Sequence, residues 1–238
     1  MPDTNRAALI LSIGIVIGLS LLAYLLGSAA KEIKRYERSV TVKGLSEREV
    51  QADIVIWPIQ FTDANNDLGG LYQSMDVKSR KIGQYLIANG IENDEISYSS
   101  PAITDKSAQQ YGGSNRAEFR YTATQTVTVY SENIDPVRSV MGSLSELGKQ
   151  GIVFTGGNYD AQTDYLFTRL NDVKPAMVEE ATRKAREVAE KFAQDSQSRL
   201  GKIKRASQGQ FAINDRDRNN PHIKKVRVVS TVEYYLAD

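Results

Sequence analysis

The chain has 238 residues, 30 Lys/Arg against 29 Asp/Glu, a single histidine and no cysteine. That length suits one large or two small domains with a full core, and a net charge of +1 sets up no global field toward nucleic acid. Without cysteine, disulfides, thiolate nucleophiles and Cys-ligated zinc or iron–sulfur sites are excluded.

After a tail of residues 1–6, no side chain from Ala7 to Ala30 (AALILSIGIVIGLSLLAYLLGSAA) is charged. As a helix this run covers roughly 36 Å at about 1.5 Å per residue, enough to cross a hydrocarbon layer of about 30 Å. A cleavable signal is the competing reading, since Gly27-Ser28-Ala29-Ala30 resembles a small-residue cleavage site. The apolar stretch, however, continues to Leu26, longer than a usual signal core of about 7–15 residues. Only Arg6 and the amino terminus precede it as positive charges. A single uncleaved span is therefore expected. Within it Gly14 and Gly18 form a GxxxG pair, the spacing that lets two membrane helices meet backbone to backbone, and they are the candidates for helix association.

Residues 31–38, KEIKRYER, come next as a basic juxtamembrane linker, with Lys31, Lys34, Arg35 and Arg38 placed to contact lipid headgroups. By the positive-inside rule, four basic residues after the span against one before it put the domain in the cytoplasm. The remainder, 39–238, holds 25 basic and 26 acidic residues and is electrostatically bland.

Beyond the linker, two strands are predicted at Ser39–Leu45 and Asp53–Thr62, with Pro58 marking an edge or bulge in the second. A helix is expected over Leu68–Ala88, its stripe formed by Leu68, Tyr72, Met75, Ile82 and Leu86, and Asn89-Gly90 stops it. Strands are expected at Glu95–Ile103 and Glu118–Tyr130. In the second, Phe119, Tyr121, Ala123, Val127 and Val129 face a core and the threonines face water. Between them SAQQYGGSNRAE reads as an exposed loop. Asp135-Pro136 reads as cap and first residue of a helix ending at Gly148. Short strands at Gly151–Asn158 and Asp164–Leu170 precede the longest soluble helix, Val173–Leu200. Met177, Ala181, Ala185, Val188 and Phe192 line one of its faces, and Glu179, Glu180 and Glu187 pair with basic residues four positions on along the other. Strands at Lys202–Ile213 and His222–Leu236 close the chain. The order predicts an α+β fold, with helices packed on largely antiparallel sheets, two related strand-strand-helix halves and one N-terminal transmembrane helix.

Chemistry is sparse in this pattern. His222 is the only histidine, no G-x-S-x-G is present, and NDRDRNNPHIKK around His222 reads as a surface turn. Asp215 and Asp217 lack the following glycine and distal glutamate of a calcium loop, and Tyr111-Gly112-Gly113 lacks the GK[ST] of a phosphate loop. Lys202, Lys204 and Arg205 read as a solvated strand face rather than a site for anionic lipid or nucleic acid. No catalytic, cofactor or metal residues are expected, and no enzyme activity.

The stretch VTVKGLSEREVQADIVI resembles the opening of the SIMPL domain (DUF541) family, which reads roughly V-x-G-x-G-x-x-x-x-x-P-D-x-A. Val42, Gly44 and Asp53 match; Ser46 replaces the second glycine, Ala52 the proline and Val55 the alanine. NGIENDEI, FRYTATQTVTV, IDPVRSVMGSLSELG, ATRKAREVAEKFAQDSQSRLGKI and VRVVSTVEYYL carry the resemblance on, over 39–237. It implies a bacterial cell-envelope protein, single-pass in the inner membrane with its domain in the periplasm, against the charge rule. It supplies no catalytic residues. Some members form homo-oligomers and some are linked to envelope or oxidative stress. The expected function is thus a non-enzymatic homo-oligomeric scaffold or ring at the membrane, involved in envelope or oxidative-stress homeostasis, with no nucleic acid and an unknown protein partner. The alternative is a binding module that recruits a protein or small ligand through the loops 104–118 and 214–222.

Overall fold

The computed structural model describes residues 2–35, 38–108, 118–155 and 162–237, with first-helix side chains from Leu11 to Ala29. Helix α1 (Pro2–Arg35) contains Leu11–Ala29, long and apolar enough to span a membrane, and none of that window is buried by the rest of the chain. The helix is longer than its apolar core, taking in most of the expected tail and the linker through Arg35.

The remaining elements are antiparallel strands and helices. They are β1 (Ser39–Gln51), β2 (Ile54–Asn65), α2 (Leu68–Ala88), β3 (Ile96–Tyr98), β4 (Ala102–Asp105) and β5 (Tyr121–Ser131). Then come α3 (Ile134–Ser143), α4 (Ser145–Lys149), β6 (Val153–Phe154), β7 (Asp164–Leu166), α5 (Leu170–Asp195), β8 (Arg199–Gln208), β9 (Ala212–Asp215) and β10 (Ile223–Ala237). Two compact units result. The first comprises 1–47, 173–212 and 227–238, the second 48–172 and 213–226.

In the second unit a sheet of order β3-β5-β2-β6, with β4 on β5 and β7 on β2, carries α2 and α3. Its core gathers Val55, Trp57, Ile59 and Phe61 of β2, Leu71, Met75, Ile82 and Leu86 of α2, and Val127 and Val129 of β5. Pro58 keeps register with Thr128 of β5, while on the other side β7 meets Ile54–Ile56 and β6 meets Phe61–Thr62. The proline falls in the gap between them, where β2 needs no donor.

Helix α2 has the predicted bounds, and Gly90 turns the chain with a φ of 93°. Its buried stripe is Leu71, Met75, Ser79, Ile82 and Leu86, while Leu68 and Tyr72 are exposed. Ser79, whose hydroxyl donates to the Asp76 carbonyl, interrupts the apolar pattern and shifts the sequence-based stripe. On β5, Phe119 lies before the strand and is exposed, and Gln125 occupies the inward position between Ala123 and Val127. Helix α3 is capped at Asn133 instead of Asp135, which lies in its first turn. There the carboxylate complements the helix dipole without capping.

In the first unit the strand order is β1-β10-β8, so β1 and β2, adjacent in sequence, pair in different sheets. The polar run after Leu45, past the predicted end of the first strand, continues β1 to Gln51. Val42, Val232 and Tyr234 pack with Ala185 and Ala189 of α5. The buried face of α5 is Met177, Ala181, Ala185, Ala189 and Ala193, while Val188 and Phe192 point outward. Alanine dominates that face because the helix backbone lies against the strand. A Cβ on Gly44 would stand 1.8 Å from the Ala181 carbonyl oxygen. Helix α5 ends five residues before the expected Leu200, because Gln197 turns to a φ of 54° and Ser198 N–H donates back to the Ala193 carbonyl.

Candidate functional site

The second unit holds a polar cleft of about 640 Å3, formed by the turn after β1, the start of α3, Thr168-Arg169 and His222. Asp53 organises its floor. Its carboxylate accepts from the Thr168 N–H at 2.9 Å, the Thr168 hydroxyl at 3.2 Å and the Arg169 N–H at 3.1 Å, with the Arg169 guanidinium 3.4 Å away. A carboxylate so occupied ties down the chain entering α5.

His222 lies in the turn the sequence suggests, half-buried where that turn lines the cleft. Its carbonyl accepts from Ala52 N–H at 2.8 Å and its ring meets Tyr165 edge-on, centroids 6.0 Å apart. Burial holds the imidazole below its usual range; the nearby Arg138 and Arg216 guanidinium groups add to this, while Asp135 and Asp217 pull the other way. Burial likewise pushes the Tyr165 hydroxyl up, opposed by Arg138. The cleft therefore sets His222, its charged form disfavoured, beside Arg138, with Glu132 and Asp135 also lining it. Among the described residues the His222 ring makes no hydrogen bond to a hydroxyl, and no three His, Asp or Glu side chains are placed to share a metal ion. No spacing in the sequence flags this recess: Asp53, Arg138, Arg169 and His222 come from four separated segments.

The opening motif acquires physical reasons in the first unit. Gly44 is the point where α5 crosses β1 at backbone contact. Two residues on, buried Ser46 donates to Glu180 Oε2 at 2.8 Å, and Glu180 also binds Lys184 at 2.8 Å. Glu180 is thus half-buried, unlike the solvated face expected of it. In the second unit the Ala52 N–H spent on His222 is a donor that a proline there would lack.

Of the membrane-associated candidates, Gly14 and Gly18 lie on an open helix surface, with nothing within 4 Å of a Cβ built on either. Lys31, Lys34 and Arg35 continue α1, their side chains lying outside the described residues. Arg38 is exposed, yet its guanidinium donates to Ser198 Oγ at 3.1 Å and its carbonyl accepts from Leu236 N–H.

The proposed binding loops differ. Most of 104–118 falls outside the described residues, but its stem is clamped: Arg120 reaches both oxygens of Asp105 at 2.9–3.3 Å and stacks over Tyr121. In the other loop Asp217 accepts from Asn219 N–H and Asn220 N–H at 2.9 Å and pairs with Arg216, while Asp215 binds Lys224. Both aspartates are consumed locally rather than poised for a cation.

The family model described as a protein of unknown function (DUF541), SIMPL, matches residues 40–233. The chain belongs to the SIMPL family. That match takes in both units of the SIMPL domain and leaves α1 outside it. No curated protein matches the chain.

Proposed function

We propose that this SIMPL protein is a non-enzymatic, membrane-anchored scaffold that assembles as a homo-oligomer, with its domain on the periplasmic face of a bacterial inner membrane and a role in envelope or oxidative-stress homeostasis. The observation that carries the reading is α1: an apolar window of 19 residues with none of its surface covered by the chain, bearing the open Gly14–Gly18 pair. Such a surface requires lipid or another helix. Anchoring confines the domains to a plane and raises their effective concentration for assembly. The non-enzymatic reading is supported by the local use of the cleft's carboxylate, Asp53, whose oxygens accept from Thr168 and Arg169. Without cysteine, any stress role is indirect and involves no thiol scavenging.

The test is the particle mass of the full chain in detergent and of residues 39–238 in buffer. Assembly driven by α1 gives a discrete oligomer for the first and a smaller species for the second. Monomers in both would remove the reading. A second reading, recruitment of a partner through the 104–118 loop, is favoured by the Asp105–Arg120 clamp, which fixes the loop's stem for presentation. A partner captured by the full chain and lost on replacing 109–115 would support it.

A further inference from the structure

Strand β8 lies at one end of its sheet's order, hydrogen-bonded to β10, and among the described residues its opposite edge has no partner. A free edge offers a row of backbone donors and acceptors to any extended chain. Beside it, between β8 and α5 within the first unit, runs a groove of about 820 Å3. Its floor is apolar, made by Leu200, half-exposed Ile203 and buried Tyr234. Its walls carry Arg183, Arg186 and Lys202, with Glu179 the acidic member.

Charge selects the occupant. The strand RLGKIKRASQ contains four basic residues and no acidic one. Two copies of β8 pairing edge to edge would set like charges opposite each other, which is unfavourable, so the edge is guarded against itself. An extended segment alternating apolar and acidic side chains meets none of that repulsion. It would continue the sheet through its backbone, place its apolar side chains over Ile203 and Leu200, and set its carboxylates against Lys202 and Arg205. We infer that β8 and the adjoining α5 groove form a docking site for an extended acidic–apolar strand of a partner protein, bound by strand addition. The site involves neither Gly14 nor Gly18, so its failure leaves the self-assembly proposal standing.

The experiment uses the full chain in nanodiscs of neutral lipid and a fluorescein-labelled eight-residue peptide alternating valine and glutamate. Saturable binding is expected, weakened about tenfold or more when lysine replaces glutamate in the peptide. Ile203→Asp, and separately Lys202→Glu with Arg205→Glu, each weaken it by about tenfold or more, and these exposed positions should leave the fold intact by circular dichroism. Infrared spectra of a 13C-carbonyl-labelled peptide report strand addition directly, through a shift into the β-sheet range on binding. Equal binding of the lysine peptide, no such shift, or indifference to Ile203→Asp overturns the proposal. So does displacement of the peptide by phosphatidylglycerol vesicles with the same dependence on Lys202 and Arg205, which would mark the strand as a lipid-facing surface.

Discussion

Gly44 and Ser46 show how single residues set the contact between strand and helix. With the Ala181 carbonyl oxygen 1.8 Å from where a Cβ would stand, Gly44→Ala must push α5 off β1, and a destabilisation on the order of 3 kcal/mol is expected in urea unfolding. A change near zero would show that α5 does not lie at backbone contact. His222 offers a second test because it is the only histidine and gives one imidazole signal by NMR. Its titration midpoint should lie below 6.5, and Arg138→Gln should raise it by removing a repelling charge. Because the folded value is depressed for a base, the neutral ring's contribution to stability is complete above the unfolded value near 6.5. It is lost as pH falls from there toward the folded midpoint. His222→Gln should flatten that part of the stability profile; an unchanged slope would place the loss elsewhere.

Individual elements were legible where one periodicity ran unbroken. Helix α2 has its predicted ends because Asp67 caps it, with the carboxylate accepting from Gly70 N–H at 2.6 Å, and Asn89-Gly90 stops it. Its buried face was misread because a serine, Ser79, sits in the stripe. Gln125 similarly hides in the core face of β5, its amide donating to the Ser99 carbonyl at 2.8 Å. The end of α5 was illegible because the left-handed position is filled by glutamine rather than glycine. Gln197→Gly should therefore stabilise the fold by about 1 kcal/mol, read as a higher urea midpoint; no gain would mean the residue is not held in that conformation.

For the whole molecule, the α+β class followed from the alternation of strand and helix patterns, and family membership from the order of motifs along 40–233. The pairing of β1 and β2 in separate sheets did not follow, because pairing partners distant in sequence leave no local periodicity. The cleft was hidden for the same reason, its residues converging only once α3, β10 and the segment before α5 are in place. The long apolar helix α1 was the plainest feature, and the proposed function rests on it. The most direct test compares the detergent-solubilised particle mass of the full chain with that of the Gly14→Leu, Gly18→Leu double variant. Assembly through α1 predicts a discrete oligomer that falls to monomer or to a smaller species in the variant. A wild-type monomer, or an oligomer of identical mass in both, would contradict it.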